Sequence, residues 1–197
     1  IGLTLMISSF RRTVEIWVES SVAADVYITT ESWQSKSEAI LDSKTISLLT
    51  KTPGIVGVDQ LRKMKVSFQN NPISLSGVNM SLFRKGSFPL LEGNREQIFN
   101  KVIGQNAVLI SEPLSRKAAL SVGDQLVVYG ATGRVELPIA GIYYDYSSET
   151  GTAALDLSTM ENNFGPGEIN GISLYLDQNI DSEEMVKELK SRFIDHP

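Results

Sequence analysis

The spacing of apolar and polar residues changes period several times along the chain, and each change predicts an element. Residues 107–110 (AVLI) form an unbroken apolar run, as a strand buried on both faces requires. Ser111 follows as a predicted helix N-cap, with Glu112 in the first turn, where a negative charge meets the positive helix end. Pro113 is tolerated there because early helical N–H groups lack an intrahelical partner. Leu114 and Ala118 lie four apart on one face, and Gly123-Asp124 ends the unit. Residues 125–129 predict another strand, and Gly130-Ala131-Thr132-Gly133 a four-residue hairpin loop. Val135, Leu137 and Ile139 then alternate with Arg134, Glu136 and Pro138, the period of a half-buried strand.

On the N-terminal side, Ile7, Phe10, Val14 and Trp17 fall at helical spacing and form an apolar stripe. Arg11-Arg12 come after the first apolar residues and not before them, so a signal peptide does not fit. Two readings stay open: an amphipathic helix packed on its own domain, or the outer end of a transmembrane helix with the arginines snorkelling at the headgroups. Residues 23–30 predict a strand with Val26 and Ile28 inward, and 31–37 a polar connection carrying Trp33. Residues 37–50 predict a helix with Leu41, Leu48 and Leu49 inward, stopped by Pro53-Gly54. Residues 55–80 read as a hairpin turning at Asn70-Asn71-Pro72, with Met64, Val66 and Phe68 on one face.

Residues 81–106 predict an irregular link in which Ile98, Phe99, Val102 and Ile103 make one or two helical turns. Beyond the central stretch, 151–155 reads as a short strand. Ser158-Thr159-Met160-Glu161 spells a capping box, and Gly165-Pro166-Gly167 breaks that helix. Ile172, Leu174 and Leu176 mark a further strand. Residues 181–193 predict a helix capped by Asp181, with Met185, Val186, Leu189 and Phe193 buried. Strand–helix–hairpin, a β-rich middle, then strand–helix–strand–helix amounts to an α+β chain whose two ends pair into one layer.

The 197 residues suffice for a real core, as one domain or two small subdomains. A net charge of −5 with no basic block argues against nucleic acid as a partner. Without cysteine there is neither a disulfide framework nor a thiolate metal site. The single histidine, His196, is next to the last residue, where an imidazole cannot be held for catalysis or for a metal. Paired carboxylates remain: Asp145 and Glu149 flank Tyr143, Tyr144 and Tyr146 at a predicted strand end, a pattern more often a polar loop than an acid–base site. Asp177, Asn179, Asp181 and Glu188 imitate a calcium loop, but Ser182 stands where the sharp turn needs Gly. No glycine-rich stretch carries the spacing of a phosphate or dinucleotide loop, so no cofactor and no metal are predicted. Arg62, Lys63 and Lys65 read as a solvated strand face.

The stretches VLISEPLSRKAALSVGDQLVV and LPIAGIYYDYSSETGTAALDLSTM resemble the MacB-like periplasmic core domain of FtsX-type ABC transporter permeases, and the likeness extends over residues 7–193. The resemblance implies a porter-like βαβ subdomain built from both ends of the chain (23–80 and 141–197), an inserted smaller β-rich lobe (81–140) and a membrane-proximal stalk helix (1–22). It implies a non-catalytic domain on the periplasmic side of a bacterial inner membrane, cut from a longer chain. That domain would relay ATP-driven motion to lipoprotein, lipid, peptide or drug handling. The implied partners are a cytoplasmic ABC ATPase acting through a transmembrane part, a second copy or paralogous permease domain, and a periplasmic partner protein. Ile7, Phe10, Arg11, Arg12, Val14, Trp17 and Trp33 are the candidate stalk and partner contacts. The alternatives are a stand-alone extracellular hydrolase, for instance a glycosidase, working at Asp145, Tyr146 and Glu149, and a secreted binding module.

Overall fold

The structure is a computed structural model that describes residues 24–29, 43–82, 88–130 and 133–192. The chain gathers into two compact units. One combines Ala24–Lys63 with Pro166–Pro197, and the other contains Met64–Gly165.

The unit built from both ends holds β1 (Val26–Thr29), α1 (Ser43–Thr50), the first part of the long strand β2 (Ile55–Phe68), β8 (Gly171–Leu176) and α5 (Ser182–Arg192). β8 lies between β1 and β2 and runs antiparallel to both. Because it is flanked on each edge, β8 buries Tyr175 as well as the alternating Ile172, Leu174 and Leu176. Gly57 is the ladder partner of Tyr175, and a Cβ there would stand 3.2 Å from the ring, so the missing side chain makes room for the aromatic one. Val26, Leu49, Met185 and Leu189 close the core over this ladder. The Asp25 carboxylate accepts the Leu176 N–H at 2.6 Å, tying the edge strand to β8. Asp181 caps α5 as predicted, accepting the Glu183 and Glu184 N–H groups at 2.9 and 3.0 Å.

The other unit continues β2 through a hairpin to β3 (Asn71–Val78). It adds α2 (Arg95–Val102), β4 (Val108–Ser111), α3 (Glu112–Ala118), β5 (Gln125–Gly130), β6 (Gly133–Tyr143), β7 (Thr152–Asp156) and α4 (Leu157–Phe164). From β2 the strands run β3, β7, β4, β6, β5. β7 is parallel to β3, β4 is antiparallel to β7 and parallel to β6, and β5 closes an antiparallel hairpin with β6. β4 is therefore hydrogen-bonded on both edges, and Val108, Leu109 and Ile110 have no accessible surface. This is the environment that an apolar run without alternation predicts. β6 shows the expected alternation through Ile139 and then goes fully buried, where β4 begins to cover it.

Several local expectations are corrected. The β2–β3 turn is Gln69–Asn70, both at positive φ (47° and 64°), as a two-residue hairpin loop demands; Asn71 and Pro72 already belong to β3. Leu48 is exposed, since Ile46 and Leu49 supply the inward face of α1, and Ile28 is only half-buried. Ser111 occupies the N-cap position, but its hydroxyl does not cap the helix; it accepts the Thr152 N–H of β7 at 2.9 Å. The capping-box spelling at Ser158 is not used either. Asp156 is the N-cap residue of α4, and its carboxylate accepts N–H groups from Met80 at 3.0 Å and Gly104 at 3.1 Å and the Ser158 hydroxyl at 2.6 Å. The link at 81–106 is more ordered than expected: Asn94 caps α2, and Leu91 N and Tyr144 N bond Ile142 O and Pro89 O, so 89–91 runs alongside the end of β6. β3 and β7 ladder with each other and β7 with β4, which gathers segments 64–80 and 141–165 around the same sheet. Leu41 and Phe193 lie outside the described residues.

Leu109→Ala should cost about 2–5 kcal/mol, the usual toll of a cavity in a fully packed core, read as a lower urea midpoint at unchanged slope. Gly151 has φ +91°, and a Cβ there would lie 2.6 Å from Leu114 Cβ and 2.9 Å from its Cα. Gly151→Ala is therefore expected to destabilise by more than the roughly 1 kcal/mol of a left-handed residue alone, because the obstacle is partly backbone. Asp156→Ala leaves two backbone donors without their acceptor and should lower the melting temperature, with Asp156→Asn losing less.

Candidate functional site

The stalk and partner candidates Ile7, Phe10, Arg11, Arg12, Val14, Trp17 and Trp33 all lie outside the described residues. The carboxylate–tyrosine corner after β6 is described in full and belongs to the Met64–Gly165 unit. It forms where three chain segments meet: the end of β6, the β4–α3 junction and the start of β7. Tyr143 is buried, with its hydroxyl 2.8 Å from the Thr152 hydroxyl. Thr152 in turn donates to Asp145 Oδ2 at 2.6 Å, while Asp145 Oδ1 accepts the Ser147 N–H at 2.9 Å. Both oxygens of Asp145 are thus engaged in holding the turn, an Asx-type arrangement. Behind this network Phe88 meets Tyr143 edge-on at 5.1 Å and Phe99 at 6.5 Å, and the Arg95 guanidinium sits 4.3 Å above the Phe99 ring.

Tyr146 turns the other way. Its phenol donates to Glu112 Oε2, and Glu112 Oε1 pairs with Arg116 one helical turn on, at 2.6 Å. Lys117 donates to the backbone carbonyl of Glu149, whose side chain is exposed. Tyr144 and Tyr146 face each other obliquely at 6.5 Å. The sequence places Asp145, Tyr146 and Glu149 together, but the structure gives each a separate partner. Asp145 bonds Thr152 and Ser147, Tyr146 bonds Glu112, and Glu149 contributes its main chain. Glu112, which reasoning from sequence used only as a helix-start charge, is the carboxylate that reaches Tyr146; nothing in the local spacing distinguishes it.

The other sequence candidates resolve into local roles. Asp177 accepts from the main-chain and side-chain N–H groups of Asn179 at 3.0 and 2.9 Å, Asp181 caps α5, and Glu188 pairs with Arg192 at 2.6 Å. The calcium-like spelling is thus divided among a turn, a cap and a helix-surface ion pair. Of the basic trio, Arg62 is buried and not solvated: a Cβ on Gly167 would stand 2.4 Å from its guanidinium, so that glycine gives the arginine its space. The Lys63 N–H bonds the Asn170 carboxamide at 2.5 Å.

Partial burial, and then the hydrogen bond to Glu112, push the Tyr146 phenol up to about 12. Burial, and then the charge of Asp145, raise Tyr143 above the ordinary tyrosine range. An unfolded tyrosine loses its proton near about 10, so the folded chain holds more protons above that pH, and stability falls as pH rises from there through 12. Thermal melts between pH 9 and 12 should show this fall, and Tyr146→Phe should lessen it. An identical pH profile in the variant would remove Tyr146 as a source.

Among known proteins, the family model for the MacB-like periplasmic core domain matches residues 1–192. An uncharacterized ABC transporter permease protein, Rv0987 of Mycobacterium tuberculosis, is 20% identical over 198 residues, covering 98% of this chain and 23% of that protein. The chain therefore spans about a quarter of the length of that relative. The periplasmic region of MacB from Actinobacillus actinomycetemcomitans has a similar fold, with a TM-score of 0.58 at 15% identity over 86% of this chain and 81% of that one. So does the extracellular domain of the noncanonic ABC-type transporter YknZ from Gram-positive bacteria, with a TM-score of 0.50 at 16% identity over 82% and 84%. A family match over nearly the whole chain, with the fold to accompany it, means that the chain belongs to the MacB-like periplasmic core domain family found in ABC transporter permeases.

Proposed function

We propose that the chain is the non-catalytic extracytoplasmic body of a bacterial inner-membrane ABC permease, and that it relays ATP-driven motion to a substrate or partner outside the membrane. The family match over residues 1–192 carries this reading. The motion would be generated by a cytoplasmic ATPase subunit and delivered through stalks formed by residues 1–22 and by chain after Pro197, with Ile7, Phe10, Arg11, Arg12, Val14, Trp17 and Trp33 on or near them. A second copy or a paralogous permease domain would be the counterpart, and a periplasmic protein a further partner. The division into a porter-like subdomain and a smaller lobe belongs to the same proposal. Lipoproteins, lipids, peptides or drugs are the substrate classes.

Relaying force calls for stiff bodies with alternative contacts, and for no reaction at all. The construction of the tyrosine corner supports this. Asp145 spends its oxygens on Thr152 and Ser147, and Tyr146 its phenol on Glu112, which is how groups are arranged to hold a turn.

These 197 residues have no cysteine, so a label placed among them meets no native thiol of the same domain. With Glu161→Cys on the exposed face of α4, spin-labelled in the parent permease reconstituted with its ATPase, the label–label distance between copies should change by several ångströms on ATP binding. An unchanged distance distribution sinks the relay. Asp145→Asn and Glu149→Gln should leave transport within about twofold, whereas loss of a hundredfold or more in both would favour the hydrolase reading.

A further inference from the structure

The Ala24–Lys63/Pro166–Pro197 unit carries an open groove of about 540 Å³ that no part of the proposed function uses. It is lined by Lys44, Ser47, Leu48, Lys51 and Thr52 at α1 and by Arg192 at the end of α5. Lys44, Ser47 and Leu48 stand at positions i, i+3 and i+4 on one stripe of α1, and Lys51 joins them from the turn just past its end. On the opposite side Leu49 is fully buried and Ile46 half-buried, which anchors α1 to its core and fixes the stripe outward. Leu48 is 47% exposed between the two lysines. Residues 43–51 contain no acidic residue, although Asp42 directly precedes them, and Arg192 pairs with Glu188. In a chain of net charge −5 this is a local reversal of sign around an exposed apolar side chain.

We propose that this face docks on the anionic phospholipid surface of the membrane, with Lys44, Lys51 and Arg192 at the headgroups and Leu48 entering the interface. A basic rim around one exposed aliphatic side chain sets cations at headgroup level and a small apolar contact in the interface, the two attractions that hold a protein on an anionic surface. Charge complementarity selects the occupant: an anionic bilayer repels the average surface of this chain and attracts a basic patch such as this one. The proposal rests on the permease reading in one respect, that chain continuing beyond α5 leads to the bilayer and brings Arg192 near it. The contact would brace the body against the membrane, so that force arriving through a stalk turns it about a fixed point.

The test is co-sedimentation of the 197-residue chain with vesicles of phosphatidylcholine alone or with about one third phosphatidylglycerol. Binding is expected only to the anionic vesicles and should vanish in high salt. Each lysine near an anionic surface contributes about fivefold, so Lys44→Gln with Lys51→Gln should weaken partitioning roughly 25-fold. Leu48→Ser should weaken it at low salt with the charge intact. The control pair Lys65→Gln and Lys101→Gln, both exposed in the other unit, should change it less than threefold. No binding, equal binding to both vesicles, or an equal loss from the control pair overturns the proposal. Displacement by inorganic phosphate beyond that caused by chloride at the same ionic strength also overturns it, pointing to a small-anion site. These outcomes concern vesicles alone and leave the ATP-dependent distance change in the parent to be judged separately.

Discussion

Burial of β4 on both edges and both faces is the constraint on which the Met64–Gly165 unit depends. A strand whose Val108, Leu109 and Ile110 have no accessible surface must have all its backbone groups paired, since an unpaired buried amide costs about as much as a lost core side chain. β6 and β7 supply that pairing from opposite directions, one parallel and one antiparallel. The chain on either side of β4 is placed by the same demand. α3 must leave immediately after Ser111, and the β6–β7 connection must return across its N-terminal end to deliver Thr152 to the Ser111 hydroxyl. The tyrosine corner is the consequence: Tyr143, Asp145 and Thr152 pin that connection from one side, and Tyr146 with Glu112 from the other.

The Ala24–Lys63/Pro166–Pro197 unit solves a similar problem with less material. β8 is its double-edged strand, and the Gly57–Tyr175 pair lets one large ring fill the space that two medium side chains would otherwise share. Arg62 beside Gly167 repeats the device with a cation. Each unit therefore has a strand held on both edges, a packed core and one helix with a side-chain cap. Those are properties of stiff bodies, which the proposed relay requires.

Much of this was legible in the residues because the signals were local. The apolar run at 107–110, the alternation from Arg134 to Ile139 and the Asp181 cap each describe their own environment, and each is found where expected. The misreadings share a different cause. Ser111 and Ser158 are correct cap spellings, but tertiary partners decide where a hydroxyl goes: Thr152 takes the first, and Asp156 holds the second. Leu48 and Leu49 are equally apolar, and only the direction from which the core approaches α1 decides that Leu49 is buried. Arg62 looks like one of three surface cations until Gly167 is brought beside it from a hundred residues away. The tyrosine corner was visible as a cluster, but the partner of Tyr146 was not, since Glu112 is remote in sequence and carries no distinguishing neighbour.

Stiffness of the body is the physical claim beneath the proposed relay, and β4 is where it is concentrated. Native-state hydrogen exchange of the Leu109 and Ile110 amides measures it directly, because the slowest amides open only with global unfolding. The account predicts that these two exchange with the full unfolding free energy and shift in step with it in dilute denaturant. Exchange through a cheaper opening, insensitive to denaturant and comparable to that of the edge strand β5, would contradict it.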